Sequence, residues 1–202
     1  VKCKQIWAAA GLPTPQYAVP DEGTDMAALA NKLGFPLIVK PAHEGSSIGM
    51  SKVDSLEQLS QAITEARQFD RAVLVESWVN GPEFTVAVLN GKALPVIRLE
   101  TPHEFYDFDA KYQADDTQYK FDHGLSAEQE TELQRLSEQA FEMVGCNGWG
   151  RVDVMLDQQR GFQLLEVNTL PGMTDHSLVP MAAREAGISF EELVVTVLRG
   201  SL

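Results

Sequence analysis

The 202 residues make one large domain or two small ones, since domains usually hold roughly 100 to 200 residues. Hydrophobic residues at 44% and charged residues at 22% are globular proportions, and no stretch approaches the roughly 18 apolar residues that span a bilayer, which argues against disorder and membrane insertion. The 29 acidic against 16 basic side chains give a formal charge of −13, a field that repels phosphate backbones and argues against nucleic acid while suiting a metal–phosphate ligand.

Val1 leads straight into a helical pattern over 2–10 with no cap before it, as expected of a chain trimmed from a longer parent. Only Cys3 and Cys146 occur, and no N-x-[ST] site is present, so a reducing cytoplasm is expected. Gly11-Leu12-Pro13 ends the first helix, Tyr17 to Val19 forms a short strand, and Thr24 to Leu33 a helix closed by Gly34. Pro36 to Pro41 and Ile48 to Val53 are strands, Ser55-Leu56-Glu57-Gln58 is a capping box opening a helix to about Phe69, and Ala72 to Trp78 is a strand. Asn80-Gly81-Pro82 is the clearest break, so a first lobe is expected over 1–80 and a second over 81–202. Beyond it Asn90-Gly91 predicts a type I′ hairpin between Phe84 to Leu89 and Lys92 to Leu99. From 101 to 124 no period holds, and this aromatic-rich stretch is expected to be a loop that packs over something. Ser126 caps a helix to Val144, Gly150 to Leu156 and Phe162 to Val167 are paired strands, and two helices finish the chain. Strands alternating with helices predict an α/β or α+β architecture.

The segments Gly148 to Leu156 and Phe162 to Asn168 carry the richest chemistry. Alternation puts Arg151, Asp153 and Met155 on one face of their strand, and Leu164, Glu166 and Asn168 together on the next. A hairpin loop at 158–161 sets Asp157 opposite Phe162, hence Asp153 opposite Glu166 and Arg151 opposite Asn168. Carboxylates side by side repel unless a cation lies between them, and two carboxylates with an amide oxygen are hard donors that suit Mg²⁺. An adjacent arginine can stabilise charge developing on a transferred phosphoryl group. The plainer alternative is a solvent-facing sheet with ordinary charges.

Thr169 to Thr174 then leads to Ser177 at the start of a helix, where glycine and amide N–H groups can approach an anion, or where a turn simply enters a helix. Lys40 followed by the loop His43 to Gly49 can wrap a triphosphate, although it is not a Walker A motif, and many surface hairpins contain Gly and Ser. Glu76-Ser77-Trp78-Val79 ends a strand whose edge can meet a purine, with Glu83 as an acceptor for ribose hydroxyls; solvated acids at a strand terminus are the alternative. The four histidines show no ligand spacing, and the cysteines, Trp7, Phe35, Phe141 and Phe190 are expected in the core.

Together, Lys40 with its loop, Glu76 to Val79 with Glu83, Arg151-Val152-Asp153 and Glu166-Val167-Asn168 resemble an ATP-grasp nucleotide site. Gly148 to Arg151, Asn168 to Thr174 and His176 to Pro180 more particularly resemble the D-alanine–D-alanine ligases. The resemblance covers the whole chain and implies an α+β fold in which two α/β lobes with mainly antiparallel sheets grip ATP. It also implies a missing amino-terminal domain of roughly a hundred residues.

The resemblance further implies ligation of two D-alanines through an acyl phosphate, for peptidoglycan precursors, by a cytoplasmic enzyme. Lys40 and Lys111 then contact phosphates, Ser46 and Ser47 belong to the loop over them, Glu76, Ser77, Trp78 and Val79 bind adenine, Glu83 binds ribose, and Met155 lies beside the nucleotide. Asp153, Glu166 and Asn168 hold two Mg²⁺ or Mn²⁺ ions, with Glu166 bridging. Arg151 and the Gly172 amide stabilise the tetrahedral species, Ser177 and Leu178 take the second D-alanine's carboxylate, and the 101–124 loop acts as a lid. Lys111-Tyr112 matches dipeptide-forming members, with Tyr112 hydrogen-bonded to Ser46. Another ATP-grasp carboxylate–amine ligase, and a nucleotide-binding fragment without ligation activity, stay open, as does a homodimer of the longer parent.

Overall fold

The structure is a computed structural model that describes residues 1–44, 48–101 and 117–200. They fall into two compact units, one built on Pro15–Val79 and the other on Lys2–Thr14, Asn80–Glu100 and residues 118–200. Among the described residues no helix is long and apolar enough to cross a membrane.

The first unit contains β1 (Tyr17–Ala18), α2 (Met26–Leu33), β2 (Leu37–Pro41), β3 (Ser51–Val53), α3 (Leu56–Ala66) and β4 (Val73–Ser77). Asp25 caps α2 by accepting from the N–H groups of Ala27 and Ala28, and Gly34 ends it at φ +74°. The strands form an antiparallel sheet in the order β1-β4-β2-β3. Leu37, Val39, Val73 and Val75 alternate onto the helix side, where Leu29, Leu33, Leu59 and Ile63 close a core. Ile38, Lys40, Leu74 and Glu76 therefore occupy the opposite side.

The second unit contains α1 (Lys2–Ala9), β5 (Glu83–Leu89), β6 (Lys92–Ala93), β7 (Ile97–Glu100), β8 (Gln118–Lys120), α4 (Ala127–Met143), β9 (Trp149–Asp157), β10 (Gly161–Asn168), α5 (Leu178–Glu185) and α6 (Phe190–Gly200). Its sheet runs β10-β9-β5-β7-β8, with β6 beside β5. Asn90 at φ 49° and Gly91 at φ 76° form the type I′ turn that the Asn-Gly pair predicts. The following arm is two short strands rather than one: the Leu94 N–H still donates to the Ala87 carbonyl at 2.8 Å, but Pro95 has no N–H to give and the ladder resumes only at Ile97. The stretch expected to lack structure over 101–124 contains β8, paired with β7, while the rest of the lid over 102–116 lies outside the described residues.

One face of this sheet buries Phe84, Val86, Val88, Val152, Val154, Phe162 and Leu164 against Trp7, Leu133, Leu136 and Phe141. Trp7 is fully buried and its indole donates to the Ala140 carbonyl at 3.0 Å. Residues 2–14 thus join the second unit, not the first lobe as the linear division has it: an amphipathic helix goes where its apolar stripe is covered. The aromatic expectation divides as well. Trp7 and Phe141 are buried, whereas Phe35, just before β2, and Phe190, at the start of α6, are each 39% exposed. Cys3 and Cys146 are free and half-buried against the same cluster rather than fully buried.

On the other face, Ala87, Leu89 and Ile97 are covered by Leu178, Val179, Ala182, Ala183 and Leu193 from α5 and α6. Farther along this face, Glu83, Thr85, Met155, Asp153, Arg151, Glu166 and Asn168 follow in register.

Gly81 is required where it stands, because a Cβ there would lie 1.9 Å from the Leu156 carbonyl oxygen. Asp157 ties this crossing to the β9–β10 turn: its carboxylate accepts from the N–H groups of Gln159, Arg160 and Asn80 and from Arg160 Nη2 at 2.7 Å. The Arg160 guanidinium and these amides hold the Asp157 carboxyl well below its ordinary 3.8. A depressed folded-state pKa stabilises the fold above the unfolded value and loses that contribution as pH falls toward the folded one. Asp157→Asn is therefore expected to lower stability at neutral pH by about 1 to 3 kcal/mol, with the deficit shrinking below about pH 4. Urea melts at both pH values check this; a deficit independent of pH contradicts it.

Candidate active site

The β9–β10 hairpin builds the site. Gln158, Gln159 and Arg160 form its loop, and Gly161 at φ 71° pairs with Asp157. The expected partner of Asp157 was Phe162, so the turn is one residue tighter than alternation suggests. The ladder then runs to Leu164 opposite Val154, shifts through a bulge, and resumes with Glu166 opposite Asp153 and Asn168 opposite Arg151. The extra residue, Leu165, cancels the error at the turn, and the register of Asp153 with Glu166 and of Arg151 with Asn168 comes out as the sequence predicts. One expectation falls with the bulge. Leu164 does not share a face with Glu166 and Asn168; it is fully buried in the apolar core, because an inserted residue reverses the parity of the strand.

Directly opposed residues in an antiparallel pair project to the same face with Cβ atoms about 4.5 to 5.5 Å apart, so Asp153 and Glu166 are neighbours. Asp153 is 7% exposed and Glu166 lies at the surface. Arg151 reaches Asp153 along the same strand: Nε donates to Oδ1 and Nη2 to Oδ2, each at 2.8 Å. Thr85, its neighbour on β5, donates from Oγ1 to Oδ1 at 2.6 Å. Sequence reasoning missed Thr85, since a β-branched residue in a strand carries no signal beyond strand propensity. Asp153 already attracts a cation, in the form of the Arg151 guanidinium. Together with Asn168 the carboxylate pair offers hard oxygen donors of the type Mg²⁺ and Mn²⁺ accept, so the residues fit that group. Among the described residues there is no cluster of three or more His, Cys, Asp or Glu that could hold a metal ion.

Asn168 also starts the next loop, its Oδ1 accepting from the Leu170 N–H at 3.1 Å. The chain folds back so that a Cβ on Gly172 would meet Ser177 Oγ at 2.7 Å. Ser177 is the N-cap residue of α5, but its hydroxyl makes no capping bond and instead meets the N–H and hydroxyl of Thr174 at 3.0 and 2.9 Å. Leu178 packs its side chain into the apolar cluster below, so only its backbone can serve a polar ligand.

On β5, Glu83 stands opposite Met155, two residues from Thr85 on the same face. In the first unit, Lys40 Nζ pairs with the buried Glu76 Oε2 at 2.5 Å. Strand β4 is interior, between β1 and β2, not the exposed edge expected for purine contact. The amides of Ser77 and Trp78 donate to the carbonyls of Gln16 and Pro36, and Val79 is buried. The Trp78 ring instead carries Lys52 Nζ at 4.8 Å from its centroid, a cation–π contact the sequence did not announce. Ser46, Ser47, Lys111 and Tyr112 lie outside the described residues.

A family model described as D-ala D-ala ligase C-terminus matches residues 6–199. The chain belongs to that family. It is 60% identical, along all of its length, to a D-alanine–D-alanine ligase of Ectopseudomonas mendocina, of which it covers 64%. The crystal structure of a D-alanine–D-alanine ligase from Bacillus anthracis superposes with a TM-score of 0.87 at 33% identity, covering 98% of this chain and 65% of that one. The Bacillus anthracis ligase complexed with ATP gives 0.84 at 30% identity, with 98% and 64% covered. The fold is accordingly the ATP-grasp of this family, an α+β arrangement with antiparallel sheets. The chain spans about 64% of the length of the curated relatives it matches.

Proposed function

We propose that this chain is the ATP-grasp part of an ATP-dependent ligase that joins two D-alanines into D-alanyl-D-alanine, a cytoplasmic step toward peptidoglycan precursors. The observation that carries this reading is the opposition of Asp153 to Glu166 and of Arg151 to Asn168 on one face, followed directly by the Gly172–Ser177 loop. Identity of 60% to a ligase of that name supports it.

Asp153, Glu166 and Asn168 would hold two Mg²⁺ or Mn²⁺ ions, which neutralise a triphosphate and draw charge from its γ-phosphoryl group. Lys40, whose Nζ pairs with Glu76, and Lys111 would add point charges to the phosphates, with Ser46 and Ser47 in the loop over them. Glu76, Ser77, Trp78 and Val79 serve the base, Glu83 the ribose hydroxyls, and Met155 flanks the nucleotide. The carboxylate of the first D-alanine attacks the γ-phosphorus, ADP departs, and an acyl phosphate results. The deprotonated amine of the second then attacks the acyl carbon. The C–N bond forms first and gives a tetrahedral oxyanion; its collapse breaks the C–O bond, and inorganic phosphate leaves with the proton that the nitrogen releases. Arg151 and the Gly172 N–H stabilise the oxyanion between these events, and Ser177 with the Leu178 N–H holds the incoming carboxylate. Tyr112 would hydrogen-bond to Ser46.

Joined to the portion of the Ectopseudomonas mendocina ligase that it does not match, the chain is expected to release phosphate from ATP in step with dipeptide and to prefer D-alanine over other amino acids. By itself it is expected to bind Mg-ATP weakly and make little dipeptide. Phosphate release indifferent to the amino acid supplied contradicts the assignment.

A further inference from the structure

The bulge at Leu165 decides which way Glu166 faces. If the ladder of Leu164 with Val154 continued unbroken, Leu165 would oppose Asp153 and Glu166 would oppose Val152, a fully buried core residue. A carboxylate there would face apolar surroundings, and the metal arm of β10 would be lost. Bulges disrupt the ladder locally, so something must hold the strand at that point.

Strand β10 lies at the edge of its sheet, and Leu164 turns both backbone groups away from β9. Its N–H donates to the Pro13 carbonyl at 2.9 Å, and its carbonyl accepts from Thr14 Oγ1 at 2.9 Å and from Lys4 Nζ at 3.4 Å. Lys4 Nζ also donates to Thr14 Oγ1 at 2.9 Å, closing a triangle. Lys4 is only 2% exposed, and an ammonium group taken out of water is retained at a cost that a casual surface contact would not repay. This triangle clamps the backbone one residue before the extra one. It acts on everything downstream in β10 and leaves Asp153 and Arg151, on β9, where they are.

We infer that Lys4 and Thr14 are positioning residues for the metal-binding arm: they fix the bulge that turns Glu166 and Asn168 toward Asp153 and Arg151. The inference rests on the ligand role proposed for Glu166. In the full 202-residue chain, Thr14→Val and Lys4→Met are to be compared with wild type for Mn²⁺ affinity by spin resonance, with a non-hydrolysable ATP analogue present. Removal of partners that orient metal ligands weakens metal binding by about 10- to 100-fold, and that loss is expected here. Affinity for the analogue without metal should stay unchanged, and Thr14→Ser, which restores the hydroxyl, should recover Mn²⁺ binding. Cross-strand NMR contacts between Asp153 and Glu166 should weaken in the two disruptive variants and return in Thr14→Ser. Variants that melt earlier yet bind Mn²⁺ like wild type, with those contacts intact, overturn the inference and leave a plain structural tie. If wild type binds no Mn²⁺ at all, the ligand role of Glu166 fails, and the NMR contacts alone then judge the positioning claim.

Discussion

Glu166→Gln is expected to abolish metal-dependent nucleotide binding and to leave the protein folded. The side chain sits at the surface of an edge strand, so an isosteric change there costs little, within about 0.5 kcal/mol. The expected effect on metal is large, because the carboxylate proposed as a shared ligand is replaced by a neutral amide. A weakening greater than the roughly 100-fold seen when outer partners are lost is expected. Calorimetric titration with an ATP analogue, with and without Mn²⁺, measures it, and a metal-dependent increment equal to that of wild type refutes it.

Arg151→Met produces the second large effect, on stability and catalysis at once. Asp153 is largely buried, and its two oxygens take both arms of the Arg151 fork. Removing one partner of such a pair leaves an uncompensated buried charge, at a cost of about 3 to 5 kcal/mol. Thr85 supplies a neutral hydrogen bond, which does not replace the lost cation. A divalent ion should. With the competing guanidinium gone from both Asp153 oxygens, Mn²⁺ should bind more tightly, so at one fixed Mn²⁺ concentration the variant should gain more melting stability than wild type, about 2.7 kcal/mol once the ion is at a hundred times the variant's dissociation constant. If Arg151 has the proposed oxyanion role, the same change in the chain joined to the unmatched portion of the Ectopseudomonas mendocina ligase should lower turnover by about 10² to 10³-fold, the usual effect of losing an oxyanion donor. Melting curves that coincide with wild type in the absence of metal contradict the charge argument.

Much of this arrangement was legible in the sequence, for reasons that differ from residue to residue. Asn90-Gly91 and the Ser126-x-x-Gln129 box are local signals whose chemistry admits few conformations, and both form the turn and cap expected, the box with both reciprocal bonds. The pairing of Asp153 with Glu166 was legible because polar residues alternate with valines on both strands. It came out right only because a tighter turn and an extra residue offset each other. Nothing local marks Leu165 as that extra residue: it follows another leucine, and a bulge is decided by what holds the neighbouring backbone from outside the hairpin. Those groups, Lys4, Pro13 and Thr14, lie some 150 positions away in sequence. The same remoteness hid the allegiance of the first helix, whose apolar stripe says that it packs but not on which sheet. Thr85 and Lys52 were invisible for a simpler reason, since each acts through one side chain that composition alone would leave unremarked.

The most direct measurement is diffraction at the manganese absorption edge from crystals grown with Mn²⁺ and a non-hydrolysable ATP analogue. The account predicts anomalous density between the Asp153 and Glu166 carboxylates, with metal–oxygen distances of about 2.1 Å and the Arg151 guanidinium no longer bridging both Asp153 oxygens. Nucleotide bound with the manganese elsewhere, or with Glu166 turned away from the ion, would contradict it.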